Sequence, residues 1–221
     1  MPAAVLQRAD AERRIAFTEA DLVPHSPVVL EHMARSGSMT AIELAEATQK
    51  TSDNAAANLL LRHLFGGPAG FTAWLRRQGD AVTRLDRVET AMNRVPPGEL
   101  RDTTTPSAIA ASSARLLVGG GLQRSAADRL IAWMEATRTG SRRLRAGLPP
   151  GWRVGDKTGT AMHEAMPDKV NDVAIVWPPG AAPWILAAYY DGPQRNSAKL
   201  RPEDEAVLAE VGRIVSQWRP A

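Results

Sequence analysis

The 221-residue chain has no cysteine, which excludes disulfides, thiolate metal sites and cysteine nucleophiles and leaves the redox compartment open. Histidine is scarce too. His25, His32, His63 and His163 are scattered without ligand spacing, so no metal centre is expected. Lysine is the third shortage: of 27 basic residues only Lys50, Lys157, Lys169 and Lys199 are lysines, and a lysine held inside a motif therefore stands out. The basic residues form no tract, and a net charge of +3 gives little support to nucleic-acid binding. No apolar run is long enough to span a membrane, and the segment after Met1 has neither the basic start nor the apolar core of a signal peptide. Taken literally the chain is soluble and cytoplasmic; taken as a fragment it says nothing about export.

What is present suits a globular fold. Hydrophobic residues make up 44% and charged residues 23%, and a chain of this length buries a substantial core without staples. Thr40, with Glu43 three residues on, forms a capping-box pattern that opens a helix through Ile42, Leu44, Ala45 and Ala47. A second helix is predicted over 52–65, where Ala55, Ala56, Ala57, Leu59, Leu60, Leu61 and Leu64 make it apolar on most of its circumference, hence interior. Further helices are predicted at 69–78, 106–118, 124–137 and 202–218. Between them the period changes. The runs at 152–157, 170–177 and 184–190 are short, rich in β-branched or aromatic residues and bounded by Pro and Gly, which predicts three antiparallel strands. The fold class is α+β, one domain over 1–221: a helical lobe at about 1–138 beside a sheet layered with helices at about 139–221.

Three short motifs carry the chemistry, and each has an ordinary structural explanation when taken alone. Ser52-Asp53-Asn54 opens the buried helix, where Ser or Asp would serve as an N-cap. Glu89 and Asn93 could be a polar pair one helical turn apart. Lys157-Thr158-Gly159-Thr160 falls at the end of a predicted strand, where a turn with Gly is expected anyway. Together, in this order and spacing, they resemble the motifs of class A serine β-lactamases. The likeness continues through Gly66-Gly67-Pro68, Thr83-Arg84-Leu85-Asp86-Arg87, Arg101-Asp102-Thr103 and Leu148-Pro149-Pro150-Gly151-Trp152, and covers nearly the whole chain from Val5 to Trp218.

That resemblance implies roles. Glu89 is the general base for a deacylating water that Asn93 helps to hold, and Ser52 relays a proton to the ring nitrogen. Asn54 donates to the substrate's amide side chain, Lys157 and Thr158 anchor its carboxylate, and Thr160, next to Gly159, supplies a backbone N–H to the oxyanion hole. His25 falls at the cleft rim, where the family usually has Tyr or Trp. Arg143 resembles an auxiliary carboxylate-binding arginine of some members, a solvated surface arginine being the alternative. Arg87 and Asp102 bracket 16 residues as the ion pair closing an Ω loop, against the alternative of two unrelated surface charges. Thr90 stands where many members have proline, so a cis bond after Glu89 would be a non-proline one. The partner implied is a β-lactam, with no cofactor, no nucleic acid and no membrane; the full-length family is periplasmic or secreted and monomeric.

One element is missing from the sequence. The family nucleophile lies in Ser-x-x-Lys, and the residues three before the four lysines are Ala47, Val154, Met166 and Asn196. Met1–Arg8 resembles the helix that follows that motif, which leads to the expectation that the chain is truncated, lacking the first helix, two strands and the nucleophile. Two further readings follow: a β-lactam-binding remnant without turnover, and a peptidoglycan peptidase, which Glu89 disfavours because such enzymes generally lack that base.

Overall fold

The computed structural model describes residues 1–218, and among them the fold is α+β. A short helix α1 (Pro2–Leu6) leads into strand β1 (Arg14–Ala16), which pairs antiparallel with β2 (Ser38–Thr40) across helix α2 (Pro27–Met33). Strands of three residues are too short to show alternation, and this small sheet leaves no periodic signal along the chain.

Helix α3 (Ala41–Thr51) begins as its capping box dictates: Thr40 Oγ1 accepts from Glu43 N–H at 3.2 Å and Glu43 Oε2 accepts from Thr40 N–H at 2.7 Å. The helix predicted over 52–65 starts later and ends differently. Ser52 closes α3 in the left-handed conformation (φ 56°), and Asp53 caps α4 (Asn54–Leu60), which passes into a π-helical turn at Leu61–Phe65. Asp53 enforces the break. Its fully buried carboxylate accepts from Ala56 N–H at 2.9 Å and from Val28 and Val29 N–H at 2.8 and 3.0 Å, so one side chain starts α4 and fastens α2 to it. The interior placement holds: Ala55, Ala56, Leu59, Leu60 and Leu61 are buried, and each leucine contributes roughly 1.5–3 kcal/mol.

Helices α5 (Pro68–Arg77), α6 (Pro106–Leu117) and α7 (Arg124–Glu135) complete the helical part, and the short α8 (Leu144–Gly147) leads into the sheet. Strands β3 (Arg153–His163), β4 (Met166–Trp177) and β5 (Trp184–Asp191) form an antiparallel meander in that order. Lys157-Thr158-Gly159 lies inside β3, not in a turn at its end: Lys157 pairs with Val173, Thr158 with Asp172 and Gly159 with Asn171. Helix α9 (Pro202–Gln217) packs on the sheet through Leu208 and approaches α8 so closely that a Cβ at Gly147 would sit 1.7 Å from the Ala209 carbonyl oxygen. Among the described residues no helix is long and apolar enough to cross a membrane.

Candidate active site

A cleft of about 480 Å³ opens between β3, the α3–α4 junction and the loop carrying Glu89. Its wall brings together Ser52, Asn54, Glu89, Asn93, Arg143, Lys157, Thr158, Gly159 and Thr160, with His25 at the side. Ser52 enters because the left-handed turn at its backbone frees it from the capping duty that Asp53 takes. Across the cleft, Lys157 Nζ donates to Ser52 Oγ at 2.6 Å and to the Thr158 carbonyl at 2.6 Å. Burial drives the Lys157 ammonium down to about 8, because a desolvated cation is costly. Beside it, the Thr158 and Thr139 hydroxyls share a hydrogen bond of 2.6 Å.

Glu89 sits in a loop, not on a helix, and its peptide bond to Thr90 is cis. Asn93 Nδ2 donates to Glu89 Oε2 at 2.5 Å, and burial raises the Glu89 carboxyl above the ordinary glutamate range. Asn58, on α4, holds the same residue by its backbone: Oδ1 accepts from Glu89 N–H and Nδ2 donates to the Glu89 carbonyl, each at 2.8 Å. Sequence reasoning missed Asn58. The available signal was a lone amide among the alanines and leucines of a buried helix.

Arg87 and Asp102 meet at the two ends of the loop that carries Glu89. Arg87 Nε donates to Asp102 Oδ2 at 2.5 Å, and Asp102 Oδ1 accepts from Asp86 and Arg87 N–H at 2.6 and 2.9 Å. The Val95 N–H, directed at Met166 Sδ at 3.2 Å, fastens the same loop to the sheet.

Arg143 is 2% exposed, so the alternative of a solvated surface arginine is wrong. Its guanidinium donates to the Gly159 and Asn171 carbonyls at 2.9 and 2.7 Å and to Thr160 Oγ1 at 2.5 Å, with Glu205 Oε1 at 3.4 Å. His25 is exposed at φ 62°, with its Nε2 on the Thr51 carbonyl at 2.8 Å, and Asn54 Nδ2 donates to the Pro24 carbonyl at 2.9 Å. The arrangement offers a hydroxyl bonded to an ammonium, a carboxylate with an amide beside it, and a cationic floor. Those groups suit proton relay, water activation and anion binding.

A family model described as the β-lactamase enzyme family matches residues 3–218. The chain is 47% identical over 201 residues to β-lactamase AST-1 of Nocardia asteroides, an alignment covering 91% of this chain and 61% of that protein. It is 41% identical over 220 residues to β-lactamase OXY-2 of Klebsiella oxytoca, covering 97% and 72% respectively. The chain thus spans about three-fifths of the length of the first relative and under three-quarters of the second. Among solved structures, an ancestral class A β-lactamase superposes with a TM-score of 0.87 at 48% identity, over 97% of this chain and 80% of the other. A β-lactamase from Xanthomonas campestris gives 0.87 at 45% identity, over 97% and 78%.

Proposed function

This chain belongs to the β-lactamase enzyme family, as a class A member, and on that footing we propose that its cleft binds β-lactams and carries the deacylation half of a serine acyl-enzyme hydrolysis. The observation that carries the reading is the convergence of four groups far apart in sequence, Ser52, Glu89, Asn93 and Lys157, on one cleft, with the 2.6 Å bond from Lys157 to Ser52.

The roles follow from chemistry. Lys157, Thr158 and Arg143 hold the substrate carboxylate on the cationic floor. Where a nucleophilic serine attacks the ring carbonyl and forms the acyl ester, Ser52 is the group that hands a proton to the departing ring nitrogen, which Lys157 assists by donating to its oxygen. Glu89 takes a proton from water so that the hydroxide attacks the acyl ester, and Asn93 fixes the carboxylate that does so. The Thr160 N–H stabilises the developing oxyanion, and Asn54 orients the substrate's side-chain amide. Arg87 and Asp102 keep Glu89 at its post, and His25 forms part of the rim.

In the family that the motifs resemble, acylation uses a serine paired with a lysine three residues on, and these 221 residues contain no such pair. That observation favours a second reading for the polypeptide of these residues alone: it binds β-lactams without turning them over. With purified chain and a chromogenic cephalosporin, the expected result is no hydrolysis above background. Turnover lost in Glu89→Ala would overturn the non-catalytic reading and leave the enzyme.

A further inference from the structure

Among the described residues, four side-chain hydroxyls line the cleft: those of Ser52, Thr139, Thr158 and Thr160. Three of them have partners that are not bases. Thr139 and Thr158 bond each other at 2.6 Å, and Thr160 Oγ1 accepts from the Arg143 guanidinium at 2.5 Å. Ser52 is different, because its Oγ lies 2.6 Å from Lys157 Nζ, so the one primary hydroxyl of the wall touches its one amine. The carboxylate of the cleft, Glu89, is bonded to Asn93.

The backbone holds this hydroxyl in place at a cost. Ser52 sits at φ 56° and ψ 41°, the left-handed region that disfavours a side chain, and non-glycine residues kept there cluster at functional sites. Capping does not explain it, since Asp53 caps α4. Lys157 bonds no carboxylate; it donates to the Ser52 hydroxyl and the Thr158 carbonyl. Burial brings its ammonium down to about 8, which leaves a neutral fraction able to take a proton near neutral pH. The charged groups near it are Asp156 on β3, Asp172 on β4, Arg143 before α8 and Glu89 across the cleft. The amino group of Met1 on α1, held down to about 5 by burial, is uncharged at neutral pH.

We propose that Ser52 and Lys157 form a serine–lysine nucleophile pair, and that a β-lactam bound in the cleft acylates Ser52 itself. Neutral Lys157 takes the hydroxyl proton as Ser52 Oγ bonds the lactam carbonyl carbon; the carbon–nitrogen bond breaks, and Lys157 returns the proton to the ring nitrogen. Every atom of the lactam stays on the chain, as an ester of Ser52. Arg143 keeps its charge at neutral pH and still holds the substrate carboxylate while Lys157 is neutral. The proposal goes beyond the proton relay assigned to Ser52 and rests on the β-lactam reading for its substrate alone.

The test is mass spectrometry of the purified chain after incubation with benzylpenicillin and, separately, with phenylmethanesulfonyl fluoride, an uncharged reagent for activated serines. The adduct is read at one equivalent per chain, below what a steady-state assay of turnover registers. Trypsin cuts after Lys50 and Arg62, which puts Ser52 on the peptide 51–62; its other hydroxyl, Thr51, donates to the Ala47 carbonyl. Both reagents are expected to add once, at Ser52, and Ser52→Gly, whose glycine adopts φ 56° freely, is expected to take up neither. The sulfonylation rate rises about fiftyfold from pH 6 to pH 8 and then levels off, following the neutral fraction of Lys157. An adduct on another residue, no adduct with either reagent, or a rate that is flat or falls over that range overturns the proposal. If Ser52→Gly does not fold, the adduct position and the pH profile of the wild type still decide. Sulfonylation of Ser52 without uptake of penicillin overturns the reading of the cleft as a β-lactam site and leaves the nucleophile pair standing.

Discussion

Replacing Asp102 with alanine removes three acceptor contacts at once: two to the backbone N–H groups of Asp86 and Arg87 and one to the Arg87 guanidinium. The aspartate side chain is 0% exposed and the arginine 19%. Removing one partner of a buried pair costs about 3–5 kcal/mol, since the other charge and its donors are stranded. Arg87 has an escape, being partly exposed and already bonded to the Arg94 carbonyl at 2.9 Å, so the lower end applies, about 3 kcal/mol. For a chain of this size that corresponds to a fall in melting temperature of about 6–12 °C. Asp102→Asn keeps one acceptor oxygen and loses about half as much. The loop reports independently, because Arg94 and Arg101 lie within it and become trypsin sites when it opens. Urea denaturation with limited trypsinolysis measures both. A loss below about 1 kcal/mol in Asp102→Ala, the value of an exposed ion pair, with cleavage at Arg94 unchanged, would refute the argument that this pair closes the loop.

Asp172 carries a pH signature in stability. Burial first, then Asp156, pushes its carboxyl from 3.8 up to about 7, so the folded chain keeps a proton that the unfolded chain has released, and stability declines as pH rises through that window. The slope is about 1.4 kcal/mol per pH unit, roughly 4 kcal/mol in all, and Asp172→Asn abolishes it; urea melts at pH 5 and pH 7 with equal slopes in both proteins would contradict this. Gly140→Ala sets a Cβ 1.8 Å from Asp156 Oδ2, a side chain already pinned by Arg145, and costs about 1–3 kcal/mol; a thermal scan unchanged from wild type would show that Asp156 gives way freely. Asp53→Ala unties α2 from α4 by removing three backbone acceptor contacts, and a loss of about 3 kcal/mol or more is expected in the same melts.

How much of this was legible in the sequence depended on distance along the chain. The capping box at Thr40 and Glu43 is a local pattern, and it formed as written. At Ser52-Asp53 the chain divides two readings between neighbours: Asp53 takes the cap, and Ser52 turns into the cleft. The all-round apolar character of 55–64 fixed an interior helix, but not the break at Ser52, which comes from Asp53 bonding to α2 about 25 residues away. Arg143 could not be told from a surface arginine, because its partners at Gly159, Asn171 and Glu205 come from strands and a helix brought together only by the fold. Asn58 and Asp172 escaped for the same reason. Neither sits in a motif, and each acts through a backbone group that composition and periodicity do not reveal.

The central claim is that Lys157 and its neighbours form a β-lactam carboxylate site. Calorimetric titration of the purified chain with benzylpenicillin at pH 7 tests it most directly, with Lys157→Met in parallel, a variant that keeps length and apolar bulk while removing the charge. Saturable binding by wild type, weakened tenfold or more in Lys157→Met, about 1.4 kcal/mol of lost anchoring, is the expected result. Binding of equal strength in both proteins, or none in either, would contradict it.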